Sequence, residues 1–444
     1  MKSSLDMRIT LPAVLKFSFP SIISMVLMTA FGAIDGIFIS RFIDMESFAA
    51  MNIAFPILTT TLAVGFMIAA GGSALVAKKR GEEKDVEARE NFSLLIAFTL
   101  VFSILASSIA FFFLEPLLIF LGANEMILPL AKEYITPIVV AIPIIILGFL
   151  FQKFLIADGR PTLAMIVSSS GGLIGVGLNF LLINYLDMGL FGASLGTAIA
   201  YSIPSVVGGI YFTFFRKEGL YFVRPKFVVQ VITKSFTNGV SEFISMIAVS
   251  ITATYMNNIV MNIEGPMGVA AVGIMMTVQG LITSTFLGYA FGVGPLISFN
   301  YGQENTDNLK KLYSLSLKIV SALAGLSILI AIVFASHLTR IYVAQGTPVY
   351  DMAVFGLRLM SASFILVAIN SFASNMFVAL NNGWVSGVLS FFRTLVLLQI
   401  SLFVLPNMVN GMTGVWAALP FAELLAMGMT VYYFKKMKTK YQYA

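Results

Sequence analysis

A chain of 444 residues with 58% hydrophobic residues, 11% charged residues and a mean hydropathy of +0.93 has too little polar surface to fold as a soluble globule, and its composition places it in a bilayer. A net charge of +6 and a pI near 9.3 do not point to nucleic acid, because the basic residues do not form a soluble basic domain. With no cysteine in the chain, disulfides, thiolate metal sites and cysteine nucleophiles are excluded.

Hydrophobic runs of spanning length recur twelve times, over 12–40, 47–77, 92–114, 129–156, 161–184, 190–215, 233–262, 267–299, 312–336, 350–380, 384–406 and 411–434. The first run lacks a small-residue cleavage site after a short apolar core, so it is expected to be an uncleaved signal-anchor. Basic residues in short loops stay cytoplasmic. Placing the N-terminus inside puts 22 Lys and Arg on the inner side, 4 on the outer side (Arg41, Lys132, Arg340 and Arg358) and Arg393 within a helix. Both termini are therefore expected to be cytoplasmic. In this count Lys153 falls among the inner-side bases.

The first run carries a carboxylate, Asp35, flanked on its own helix face by Gly32 and Gly36. An acid within a spanning helix costs roughly 2.5–3.5 kcal/mol on insertion scales, which makes it a functional candidate by default. The two glycines let a neighbouring backbone approach closely. Asn52 on the second run, Asn179 on the fifth and Thr197 on the sixth lie at similar depth. A carboxylate with amide and hydroxyl oxygens can hold a proton or a small hard cation; taken singly, each neutral residue could equally be an interhelical hydrogen bond.

Half of the chain resembles the other half at an offset of 221–222 residues. Phe48-Ala49-Ala50 aligns with Val269-Ala270-Ala271, Arg80-Gly81-Glu82-Glu83 with Tyr301-Gly302-Gln303-Glu304, Ala157-Asp158-Gly159-Arg160 with Ala379-Leu380-Asn381-Asn382, and Gly189 with Gly411. Six spans per half give both halves the same topology, related by an axis along the membrane normal. The expected organisation is an N-terminal six-helix lobe over 1–216, a basic cytoplasmic linker over 217–233 and a C-terminal six-helix lobe over 234–444. Asp35 aligns with Asn257, so its charge is not common to both halves.

Pro20 with Ala33-Ile34-Asp35-Gly36, the stretch from Phe48 to Pro56, Gly72-Ser73-Ala74 with Gly81, Ile156-Ala157-Asp158-Gly159-Arg160-Pro161, Gly177-Leu178-Asn179, and Pro295 to Gly302 together resemble the multidrug and toxic compound extrusion (MATE) transporters. The resemblance runs over nearly the whole chain. It implies an all-α, polytopic, V-shaped protein of twelve transmembrane helices in two six-helix lobes. Such a protein is an antiporter rather than an enzyme, exporting organic cations or other amphipathic compounds against inward H+ or Na+ flow, with no cofactor beyond the coupling ion. It also implies a monomer in the plasma membrane, of prokaryotic inner-membrane type. The family's first-helix acid falls on Asp35, its fifth-helix Asn on Asn179 and a sixth-helix Thr on Thr197.

In the second half Glu242 lies about nine residues into its span. It could bind a cationic substrate or a second ion, or it could cap a helix start or pair with Lys234. Asn257, Met275, Gln279 and Phe286 are the further substrate-contact candidates, since Met and aromatic side chains suit varied apolar cations. Arg393 and Glu423 lie at depths that permit a structural charge pair. A flippase for lipid-linked precursors could share the plan but needs a more cationic cavity. An intramembrane enzyme would need a nucleophile and base or a metal set, and one histidine with scattered acids does not give either.

Overall fold

The computed structural model describes residues 5–43, 45–215, 218–409 and 411–444; among these, the side chains at 33, 35–42, 45 and 48 lie outside the described set. The Asp35 side chain is therefore outside it. The described residues form helices only: α1 (Leu11–Phe42), α2 (Met45–Gly81), α3 (Asp85–Phe112), α4 (Leu114–Phe120), α5 (Ile127–Ala157), α6 (Pro161–Asn184), α7 (Gly189–Ile210), α8 (Val229–Gly302), α9 (Thr306–Arg340), α10 (Pro348–Ser361), α11 (Phe364–Ala379), α12 (Gly383–Ser390), α13 (Leu398–Met408) and α14 (Met412–Tyr441). Two π-helical segments occur, Tyr211–Phe215 after α7 and Phe391–Leu397 joining α12 to α13.

Ten helices are long and apolar enough to span, and α10 with α11 forms one further span bent by 55°. The long helix α8 is two spans, because Gly265 adopts φ 65° and ψ −153° ahead of Pro266; only glycine takes that conformation readily, and proline starts the next helix. Dividing α8 there makes twelve spans among the described residues. Prolines inside α1, α2, α5, α7 and α14 are tolerated because neighbouring helices can satisfy the freed carbonyls. Large apolar side chains on α3 and α9, among them Leu105, Ile109, Leu329 and Val333, face outward, as lipid contact requires.

The repeat is visible in the turns. Glu83 (φ 60°) and Glu304 (φ 56°), Gly159 (φ 82°) and Asn381 (φ 55°), and Gly189 (φ 51°) and Gly411 (φ 39°) place the same left-handed residue at the same point of each half. In the first of these turns partial burial pushes the Glu82 carboxyl up, but hydrogen bonds from Lys79 and Lys84 outweigh it and hold the group below its ordinary range.

The halves meet at the end where Lys78, Lys79 and Arg80 lie. A Cβ on Gly81 would stand 2.0 Å from the Phe299 carbonyl oxygen, and one on Gly302 would stand 2.1 Å from the Lys78 carbonyl oxygen, a reciprocal pair one repeat apart. Deeper in, a Cβ on Gly71 would meet the Ser235 carbonyl oxygen at 2.0 Å and one on Gly239 the Met67 carbonyl oxygen at 1.8 Å. Backbones approach this closely only where both contact points lack side chains. Along this seam Phe66 to Ala74 and Gly288 to Gly294 are almost entirely buried, whereas Asn52, Phe55, Val249, Thr254 and Asn257 toward the far end are exposed. The halves are sealed at the basic end and splay apart at the other.

Candidate functional site

In the first half, α6 and α7 bring Asn179 and Thr197 together. Asn179 is 1% exposed, and its side-chain oxygen lies so close to α7 that a Cβ on Gly196 would stand 1.9 Å from it. Thr197, also buried, donates from Oγ1 to the Ala193 carbonyl at 3.1 Å. Thr197 lines a recess of about 600 Å³ that also exposes Gly32, one turn before Asp35, together with Phe31, Gln152 and Tyr201. Asn52 lies on a different helix pair. Helix α2 packs on α5 and α8 rather than on α6 and α7, which leaves Asn52 exposed on the splayed part of α2. Equal depth in the bilayer does not fix the azimuth of a side chain.

The second half holds a larger, partly open cavity, a space of about 1050 Å³ counting its solvent-open part, lined by Glu242, Gln279, Phe291, Asn375, Arg393 and Glu423 among others. Along the part of α8 after Pro266 the lining positions are Gln279, Thr283, Leu287 and Phe291, one row at a spacing of four residues, as a single helix face demands. Phe286 is one position off that row and is packed into the core at 1% exposure. Met275 continues the row but is covered in a cluster with Met256, Val260 and Trp416. Asn257 is exposed away from the cavity. Of the expected substrate contacts, then, Glu242 and Gln279 line the cavity, and Asn257, Met275 and Phe286 do not.

Arg393, in the π-helical segment, donates from Nε to Glu423 Oε1 at 2.8 Å. Asn370 on α11 donates to Glu423 Oε2 at 2.7 Å, and Thr430 donates to Asn370 Oδ1 at 2.8 Å. The pair is thus fixed in a buried chain across three helices and at the same time forms part of the cavity wall.

The first half also sends a charge to this region. Lys153, read from sequence as an inner-side base, is 7% exposed and sits 3.0 Å from the centre of the Phe291 ring. No Lys234–Glu242 ion pair occurs among the described residues. Beside Lys153, Gln152 donates to Ser24 at 2.9 Å, and Ser24 lies 2.6 Å from Ser168, so a polar chain runs from the first-half recess toward the centre. A signal for Lys153 existed in the repeat: its counterpart at offset 222 is Asn375, a polar residue inside a span.

A model of the MatE family matches residues 20–181 and again 242–404, and the two matches start 222 residues apart. The multidrug export protein MepA of Staphylococcus saprophyticus is 24% identical over 414 residues, covering 92% of this chain and 90% of that protein. MepA of Staphylococcus haemolyticus is 24% identical over 426 residues, covering 95% and 92%. A MATE crystal structure in complex with MaL6 superposes with a TM-score of 0.94 at 20% identity over 100% of both chains. An outward-facing structure of a multidrug resistance MATE family transporter of the MOP superfamily gives 0.92 at 20% identity over 100% of this chain and 98% of that one. With both halves matched by one family model and the all-helical fold shared along its length, the chain belongs to the multidrug and toxic compound extrusion (MATE) family of membrane transporters.

Proposed function

We propose that the protein is a secondary active antiporter that exports amphipathic small molecules, organic cations among them, in exchange for inward H+ or Na+. The observation that carries this reading is a cavity of about 1050 Å³ containing Glu242, between halves that are sealed at the basic end and splayed at the other. Alternating access needs one seal to form as the opposite one opens around a fixed site. If the basic face is cytoplasmic, as the distribution of Lys and Arg favours, the cavity faces outward in this state. The names of the staphylococcal relatives support drug export. A lipid-linked pyrophosphate is a poor fit, because Arg393, the base in the cavity lining among the described residues, is held by Glu423.

In this reading Asp35, with Asn179 and Thr197, is the ion-coupling site of the first half and the proton is the driving ion. Protonation removes a charge and creates a hydrogen-bond donor, a differential interaction able to shift a two-state equilibrium. One charge moving through 100 mV supplies about 2.3 kcal/mol, enough for roughly a fifty-fold concentration ratio per ion at tight coupling. The test is export of a fluorescent organic cation from proteoliposomes under an imposed proton or sodium gradient. The proton gradient should drive uphill movement, and Asp35→Asn should bind the reporter yet fail to move it uphill. A response to sodium alone would reassign the ion. Uphill export surviving in Asp35→Asn would remove this residue from the coupling role.

Glu242 is the expected substrate-facing acid. Glu242→Gln should weaken export of cationic dyes more than of neutral compounds at unchanged protein abundance. Equal loss for all compounds with lowered abundance would make the residue structural instead.

A further inference from the structure

We propose that Lys153, in the recesses that adjoin this cavity at Phe291, forms an anion subsite, so that the compounds carried are amphipathic zwitterions, with a protonated amine directed to Glu242 and a carboxylate to Lys153. The inference rests on the reading that the cavity is the substrate site. Four observations carry it.

First, the Lys153 ammonium is buried but unspent. Its one described contact is the face of Phe291, at 3.0 Å to the ring centre; it makes no hydrogen bond or ion pair among the described residues. A ring attracts a cation electrostatically but does not satisfy three N–H donors. Second, Glu242 is not its partner at ion-pair range, since no Lys153–Glu242 contact lies within 4.0 Å among the described residues. The two charges stand apart on opposite halves, with Phe291 common to the wall of the main cavity and to the recesses that hold Lys153. Third, the base that lines the cavity itself is occupied: Arg393 is bonded to Glu423 at 2.8 Å, which leaves Lys153, in the adjoining recesses, as the base able to receive an anion. Fourth, the charge breaks the repeat. Lys153 aligns with Asn375, and both line the same recess together with Ser73 and Ser298. Glu242 aligns with Pro20.

A cavity with Glu242 in its wall and Lys153 in the recesses that meet it at Phe291 is complementary to a ligand with the same two charges in reverse. An aromatic body between them would stack on Phe291. A simple cation would satisfy Glu242 but leave the ammonium of Lys153 unanswered and repelling it.

The test uses the full chain in a non-ionic detergent and two xanthene dyes of one skeleton, rhodamine B with its free carboxylate and the ethyl ester of the same dye, with binding followed by fluorescence anisotropy. The free acid should bind roughly tenfold more tightly than the ester, as expected when one charge-assisted hydrogen bond is gained. Lys153→Met should abolish or invert that preference, and Lys153→Arg should keep it. On the unaltered chain, hexanoate should displace the acid and leave the ester bound. Absence of the acid preference in the parent, an unchanged preference in folded Lys153→Met, or equal displacement of both dyes by hexanoate each overturns the inference. Should Lys153→Met fail to fold, the hexanoate competition decides. Uphill export of the ester without acid preference would sink this inference and leave the antiport reading standing; acid preference without uphill export would do the reverse.

Discussion

Arg393→Met should destabilise the protein by about 3–5 kcal/mol, the cost of leaving one member of a buried ion pair uncompensated. Glu423 is 3% exposed, so water cannot replace the guanidinium, and Asn370 already gives it the one other donor in reach, at 2.7 Å. Thr430→Val, which removes a single neutral hydrogen bond to Asn370, should cost only about 0.6 kcal/mol, the average for such bonds between membrane helices. The exchange Arg393→Glu with Glu423→Arg should regain part of the loss, because the charges remain paired although the π-helical segment was shaped for the guanidinium. Unfolding of purified protein in detergent checks the order of these effects. Single variants as stable as the parent would show that the pair contributes nothing to the fold.

Gly239→Val should leave the chain inserted and folded but unable to close its basic end. The added Cβ would lie 1.8 Å from the carbonyl oxygen of Met67, and a backbone atom in the middle of a packed helix cannot yield as a flexible side chain would. The halves must part instead. Because the seal is half of the transport cycle, uphill transport should fall by at least about tenfold, the effect of 1.4 kcal/mol on a barrier. Gly325→Val on α9, where a Cβ meets nothing within 4 Å, is the control and should transport normally. The chain has no cysteine, so Val86→Cys with Asp307→Cys places spin labels on exposed, repeat-related positions of the two halves. A lengthened distance in Gly239→Val is the expected signature; an unchanged distance and rate would mean that the seam adapts.

The spans, their repeat and the turn residues were legible because they depend on hydrophobic length and on local chemistry such as the left-handed turn at Glu83 and Glu304. Depth along a helix was legible too, which is why Arg393 and Glu423 could be matched across two spans. Azimuth was not. Asn52 shares a depth with Asn179 but is exposed where Asn179 is buried, and Phe286 is one residue off the face that carries Gln279 and Phe291. A lipid-facing apolar side chain and a core one look alike in sequence, so hydropathy gives no phase. Lys153 was hidden for a different reason: four residues from the end of α5, it was counted with the bases of the neighbouring loop. Asn370 and Thr430 gave no signal, since a neutral polar residue within a span has many uses.

Every ion pair among the described residues joins two residues of the same half: Lys78, Lys79 and Lys84 with Glu82, Lys79 with Glu87, Arg80 with Asp85 and Asp158, Lys132 with Glu115, and Arg393 with Glu423. The two halves can therefore move apart at the basic end without pulling bonded opposite charges from each other. What the seam gives up on parting is mostly dispersion between closely set backbones, which falls off steeply with distance and has no angular requirement. Such a joint releases early in the motion and, with the Ser235 hydroxyl to the Ile68 carbonyl as a buried hydrogen bond across it, has few hydrogen bonds to realign when it re-forms. It should be nearly indifferent to ionic strength, since screening acts on exposed charges separated by more than about 8–10 Å. The rate of interconversion is then governed by rehydration of the parted surfaces and by the few charges that cross the bilayer field, and hardly at all by the salt on that side of the membrane.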